Sequence, residues 1–356
     1  MMTPLIFLIV LSILIFVHEL GHFIAARRSG VKVEEFGLGF PPRIWSRKRG
    51  DTVYSINALP IGGFVRLYGE EHSVEADKTQ AYYHKGRLAR TAIVVSGVLM
   101  NFLLAVFAFA AITWFVGVPR DLGHVKVLSV SENSPASQAG LLTDDTVVAV
   151  AGQNVVQTKE FIESVNNRRG KETELVVRRG SEEVKLKVTP RENPPQGQGA
   201  LGVGITSSEI YNPPLAERPF VSLFEGFKQA IFWVKATVLG ITDSLAKVFG
   251  GKAPEGLAGP IGIYQITEIA AGQGILALLS FIAILSVNLA VLNILPIPAL
   301  DGGRLLFIGV EALFGRRVLP TFEKYAHRVG MLILLALIFL ITLGDIKRLF
   351  SGGFNF

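Results

Sequence analysis

His18-Glu19-Leu20-Gly21-His22 places two imidazoles and a carboxylate within five residues. In a helix, His18 and His22 are one turn apart on one face, so both can reach a single zinc ion. Glu19 projects beside them, placed to take a proton from an activated water. The residues around the pentapeptide narrow its meaning. Leu5 to Val17 are uncharged and almost wholly apolar, and Phe23 to Ala26 continue the run. Ionisable groups at that depth in hydrocarbon are costly and mark a functional site by default. The combination points to hydrolysis of peptide bonds within a membrane.

Two histidines do not complete a catalytic zinc site, which usually has three protein ligands. The candidate third ligand is Asp301, in Asn293-Ile-Leu-Pro-Ile-Pro-Ala-Leu-Asp-Gly-Gly303. Taken alone, that stretch reads as the end of an apolar span followed by an aspartate-glycine turn. Topology favours the ligand reading. His22 lies about 6 Å and His18 about 12 Å from the Ala26 end of the first apolar run. The run ending at Asp301 crosses in the same direction, so the two halves arrive at compatible depth.

Those elements follow from composition. The 356 residues are 50% hydrophobic and only 18% charged, with a mean hydropathy of +0.44. This is the profile of an integral membrane protein with some soluble mass. Four stretches, roughly 4–26, 92–117, 275–297 and 330–346, are long and apolar enough to span. Arg27 and Arg28 follow the first; Arg87 and Arg90 precede the second; Arg304, Arg316, Arg317, Lys324 and Arg328 lie between the third and fourth. The positive-inside rule puts both connections in the cytoplasm and residues 118–274 on the far side. The first span lacks a basic leader and a small-residue cleavage site, which reads as a retained anchor. With no cysteine in the chain, a metal site must use His, Asp, Glu and water. The basic residues cluster in loops without interleaved aromatics, which excludes a nucleic-acid module.

The expected organisation is a first membrane half (1–117), a mixed domain (118–192), a linker with an amphipathic helical region (193–274) and a second membrane half (275–356). In the first half, Asp51–Asn57 and Ile61–Gly69 read as two short strands around Leu59-Pro60, a membrane-associated β-hairpin over 51–69. Phe224, Phe227, Ile231, Val234, Val238 and Ile241 mark one side of a helix over 220–249, lying on the membrane or packed beside the spans. In the mixed domain, Ser134-Pro-Ala-Ser-Gln-Ala-Gly-Leu141, Asp144–Gly152, a helix over 158–167 and closing strands at 174–178 and 183–188 resemble a PDZ domain. PDZ domains bind peptide C-termini by strand addition, and the binding edge is expected near Leu122–Val125. His72, His84, His124 and His327 are expected in or near loops with no metal role. Asn101 and Asn288 are expected as hydrogen-bond partners between spans.

HExxH in the first span, together with Asn293–Gly303 and an inserted PDZ-like domain, is similar to the site-2 protease family of zinc intramembrane metalloproteases, in its bacterial regulator-of-sigma-E-protease branch. The resemblance covers essentially the whole chain. It implies a polytopic α-helical membrane protein with four spans and an extracytoplasmic α+β PDZ domain. It also implies Zn2+ held by His18, His22 and Asp301, with Glu19 as general base. Asn293 matches the family asparagine that holds the substrate backbone, and Pro296 and Pro298 would break the helix and shape the cleft. Gly62, Gly63 and Phe64 resemble the family's re-entrant hairpin, which would pair with unwound substrate. The implied setting is a bacterial inner membrane, with the site near the cytoplasmic side. The implied substrates are single-pass membrane proteins, either anti-sigma factors or remnant signal peptides. Two features depart from the family pattern. Ser96-Gly-Val-Leu-Met-Asn101 lacks a proline that many bacterial members have, and there is one PDZ-like unit where some have two. The rival readings are a non-catalytic PDZ scaffold with structural zinc and a zinc transporter. Glu19 argues against the first, and the few polar residues in spans two and four argue against the second.

Overall fold

The computed structural model describes residues 3–70, 78–195, 197–250 and 259–350. His72 lies outside them. The chain begins with α1 (Thr3–Arg28), β1 (Val33–Arg49), β2 (Thr52–Leu67) and α2 (Arg87–Val116). It continues through β3 (Val118–Val130), α3 (Pro135–Gln138), β4 (Thr146–Val150), β5 (Gln153–Asn154), α4 (Thr158–Asn166), β6 (Thr173–Arg179), β7 (Glu182–Val188) and β8 (Val203–Tyr211). Last come α5 (Arg218–Phe249), α6 (Pro260–Gln273), α7 (Ile275–Ile294), α8 (Asp301–Phe314) and α9 (Pro320–Phe350).

Residues 1–115 and 219–356 form one compact unit. Within it α1, α2, α7 and Thr321–Lys347 of α9 are long and apolar enough to cross a membrane. Leu332, Ile333, Phe339 and Leu340 of α9 are exposed, as a lipid-facing surface requires. Local chemistry sets the helix ends. Gly30, at φ +66°, closes α1 in the left-handed conformation, while Val31 N–H donates to the Ala26 carbonyl. Helix α7 stops at Ile294 because Leu295 precedes a proline and turns extended, with ψ 143°. Helix α5 packs beside the spans: Ala230 is buried with Val106, Phe109 and Val287, and Thr237 Oγ1 donates to Asn288 Oδ1 at 2.7 Å. Asn288 thus has the interhelical role expected of it.

The sheet in this unit is larger than the sequence pattern implies. Gly50 and Asp51 make the turn, β2 runs on through Pro60, and β1 is a full partner strand. Phe36 of β1 sits opposite both Tyr54 and Val65, and Gly37 opposite both Ser55 and Phe64. Residues 63–67 therefore pair with β1 along one edge. Their other edge has no strand partner among the described residues.

Residues 116–218 form the second unit. Its sheet runs in the order β7-β6-β4-β3-β8, with β5 beside β4. Val125, Val127, Val147, Leu175 and Val177 pack on Leu141, Phe161 and Val165 to make its core. The strand and helix order is that of a PDZ-type α+β domain. Two expectations change here. The unit does not stop at residue 192, because β8 lies beyond the Pro/Gly-rich stretch and pairs with β3. Nor do residues 122–125 form an edge of the sheet: they interrupt the pairing of β3 with β8, and β3 lies between β4 and β8. The edge strands are β7 and β8, and Thr158 Oγ1 at the start of α4 donates to Ser207 Oγ on β8 at 2.9 Å.

Candidate metal centre

One helical turn separates His18 from His22 on α1, and their Nε2 atoms are 3.1 Å apart. Asp301 opens α8, and its Oδ2 lies 3.1 Å from His18 Nε2 and 3.2 Å from His22 Nε2. Among the described residues this is the one cluster of three His, Asp or Glu side chains able to share a metal ion. His22 Nδ1–H donates to the Ile93 carbonyl of α2 at 2.8 Å, so its Nε2 carries a lone pair. Asp301 Oδ2 is buried and accepts no hydrogen bond. His22 Nε2 and Asp301 Oδ2 thus converge as acceptors, an arrangement that a cation makes favourable. Tetrahedral zinc with bonds of about 2.0–2.2 Å would hold its ligand atoms about 3.3–3.6 Å apart. The observed triangle is only a few tenths tighter, so the donor set fits zinc.

Helix α2 is the support for both imidazoles. Asn101, 0% exposed, has Nδ2 3.4 Å from His18 Nδ1, while its Oδ1 is buried without a partner. Turning the amide by 180° lets Oδ1 accept from His18 Nδ1–H. The Asn101 carbonyl is held by Ser286 Oγ of α7 at 2.8 Å. A Cβ on Gly97, one turn earlier, would overlap His22 Nε2 and come within 2.8 Å of His18 Cε1. A Cβ on Gly21 would likewise overlap the Ser96 carbonyl oxygen. These two glycines let α1 and α2 approach closely enough for the hydrogen bonds to form. Asn101 therefore bonds between spans as expected, but its partner is a candidate metal ligand. A glycine one turn from an amide in an apolar helix is the sequence signal for this support.

The three groups open into a cavity of about 370 Å3 also lined by Glu19, Gly62, Gly63, Phe64, Asn293 and Arg304. Asn293 Nδ2 is 3.5 Å from His18 Nε2. Gly63 lies over α1: a Cβ there would be 3.0 Å from Ile15 Cγ2 and 3.2 Å from Glu19 Cγ. Arg304 is ion-paired to Glu70, just beyond β2. Pro296 and Pro298 are not among the lining residues. They end α7 and shape the loop to Asp301, where Gly302 and Gly303 of α8 fold back against the Leu295 and Ile297 carbonyls. His84 and His124 take no part in the cluster. His327 was expected near a loop, but it lies in α9 and touches that connecting loop instead.

Several known proteins resemble the chain. The chain is 33% identical over 341 residues to a Clostridium perfringens protein carrying the name zinc metalloprotease, covering 95% of this chain and 97% of that one. It is 28% identical to the regulator of sigma-W protease RasP of Bacillus subtilis, covering 98% and 99%. Among solved structures, a PDZ domain of an SdrC-like protein from Listeria monocytogenes matches 25% of this chain and 93% of its own, at 19% identity and a TM-score of 0.22. The model of peptidase family M50 matches residues 6–337, and the chain belongs to that family of zinc-dependent metalloproteases.

Proposed function

We propose that this metalloprotease is an intramembrane endopeptidase that cuts single-pass membrane proteins within their spanning segment. The observation that carries the reading is the convergence of His18, His22 and Asp301 in a cavity shared with Glu19 and walled by helices α1 and α7, both long and apolar enough to span. His18, His22 and Asp301 would hold zinc, which when bound polarises a scissile carbonyl and lowers the pKa of water to about 7. Glu19 takes the proton from the attacking water and delivers it to the leaving amine as the carbon–nitrogen bond breaks. Asn293, beside His18, donates to the substrate backbone and fixes the carbonyl to be attacked.

A helical substrate hides its carbonyls within its own hydrogen bonds, so it must be extended before it can be cut. The unpaired edge of residues 62–67 lies along the cavity and can take up the freed backbone groups by strand addition. The far end of the same sheet exposes Phe40, Ile44, Trp45 and Leu59 alongside Arg43, Arg47 and Lys48, a pattern suited to a lipid interface. The charge distribution supports a cytoplasmic-side active site in a bacterial inner membrane, with residues 116–218 on the outside. The Bacillus subtilis relative is named for regulating sigma-W; we read membrane-tethered anti-sigma factors or remnant signal peptides as the substrates here. Peptide C-termini would add to β8 beside α4 in the PDZ domain.

The test is cleavage of a single-pass reporter by the full chain reconstituted in vesicles. Chelation should stop cleavage, zinc should restore it, and mass spectrometry should place the cut inside the apolar segment. Asp301→Ala should lower the zinc content. Cuts confined to the reporter's soluble regions would refute intramembrane action.

A further inference from the structure

We propose that His327 is a positioning residue for the metal centre, holding the Ala299 amide and, through it, the loop that presents Asp301. This rests on the zinc-site reading above. Ala299 N–H donates to His327 Nδ1 at 2.9 Å. Ala299 has φ +87°, a left-handed conformation that disfavours a side chain and persists only where the surroundings hold it. It lines the metal cavity and stands two residues before Asp301.

Two further close contacts pack against the same loop, and a third sets the His327 ring. Gly330, one turn beyond His327 on α9, lies against Pro298; a Cβ there would overlap the Pro298 carbonyl oxygen and come within 2.7 Å of its carbon. On the opposite side, a Cβ on Gly303 would be 2.6 Å from the Ile297 carbonyl oxygen. The Phe307 ring of α8 meets the His327 imidazole edge-on at 5.6 Å, which fixes the ring plane. The glycines supply close approach but no direction. Among the described residues, the one directional bond from α9 to the loop is the one to His327 Nδ1, and it sets which way the peptide before Leu300 faces. Helix α9 contributes no ligand, yet it determines where the third ligand stands.

A histidine that merely filled space would be replaceable by leucine. A histidine that accepts through Nδ1 is replaceable by asparagine, whose Oδ1 occupies the same place on Cγ, and not by glutamine, whose polar atoms start one carbon later. The experiment measures zinc affinity by chelator competition on the full chain in detergent, together with kcat and KM on a membrane reporter. His327→Leu and His327→Gln should weaken zinc binding about 10–100-fold and lower kcat, with KM within about threefold of wild type. His327→Asn should stay within about threefold on all three quantities. Adding Ala299→Gly to His327→Leu should recover part of the loss, because glycine takes a positive φ without being held. Wild-type zinc affinity in His327→Leu, or equal losses in His327→Asn and His327→Gln, would overturn the proposal. The Asn/Gln pair decides the matter if the leucine variant does not fold. A wild-type chain that binds no zinc would instead overturn the zinc-site reading itself, so the two failures are distinguishable.

Discussion

His22 Nδ1 and the Ile93 carbonyl oxygen are 2.8 Å apart, joining the first spanning helix to the second. The bond does more than pack two helices. It consumes the Nδ1 proton, leaves Nε2 free to donate electrons, and fixes the ring plane relative to Asp301. A metal-binding histidine needs such a partner for its second nitrogen. Here the partner is backbone, so its placement depends on how closely α1 and α2 approach.

That dependence predicts the effect of Gly97→Ala. The added methyl would overlap His22 Nε2 and crowd His18 Cε1, so the imidazoles or the helix must move. Zinc content of the purified protein should fall well below one per chain, and reporter cleavage should drop by at least about 100-fold. A fully zinc-loaded Gly97→Ala protein would show that the close approach is not required.

Glu19→Gln separates chemistry from metal binding. The side chain lines the cavity but is not one of the three converging groups. Glutamine keeps its shape and loses its basicity, so zinc content should stay at the wild-type level. Cleavage should fall by about 10²–10⁴. Unchanged cleavage would remove Glu19 from the general-base role.

Gly63→Val tests whether the sheet edge receives substrate. A Cβ at Gly63 already meets Ile15 and Glu19 at 3.0–3.2 Å, and valine adds two methyls in that direction. Zinc binding should survive, because Gly63 does not touch the three converging groups. The value of kcat/KM for a membrane reporter should fall by about tenfold or more, with the larger share in KM. An effect on kcat alone would place the loss at Glu19 instead of at substrate pairing.

Much of this arrangement was legible in the residues, and the exceptions have physical causes. Apolar runs announced the four spans because a helix that crosses a bilayer needs about 20 predominantly apolar residues. Helical spacing announced His18 and His22, and compatible depth brought in Asp301. Strand β1 was not legible: Glu34-Glu35 and Pro41-Pro42 break its alternation, although Glu35 is buried against Ser55 Oγ, which donates to it at 2.7 Å. Strand β8 was hidden behind the Pro/Gly-rich stretch, which reads as the end of a domain when it is a loop within one. The peptide edge was misplaced for the same reason, since without β8 the strand β3 looks free. Gly97, one turn before Asn101, signals a close helix approach but not the identity of the partner, and His327 carried no local signal at all. The roles of Asn101 and His327 depend on contacts across 83 and 28 residues of sequence, which periodicity does not report.

The Asp145–Arg179 pair predicts how the second unit responds to acid. Asp145 is 1% exposed and Arg179 37% exposed. Arg179 Nε and Nη2 donate to the two carboxylate oxygens at 2.8 and 2.7 Å, and Leu142 N–H donates at 2.9 Å. Burial pushes the carboxyl up, but the bonds from Arg179 and Leu142 and the guanidinium charge outweigh it and hold Asp145 below 3.8. The folded state therefore binds the proton less readily than the unfolded chain. The contribution is fully present above the unfolded value near 3.8 and is lost as pH falls through the lower folded value. Charged hydrogen bonds of this kind contribute about 1.5–3 kcal/mol; partial solvation of Arg179 reduces the expectation to about 1 kcal/mol. Arg179→Met should thus destabilise strands β4 and β6 by about that amount at pH 7, read as faster amide hydrogen exchange in the full chain. The gap between variant and wild type should begin to close below about pH 4 and continue to shrink with further acidification. A gap that stays constant from pH 7 down to the acid limit of folding would mean that the pair's charge does not stabilise this unit.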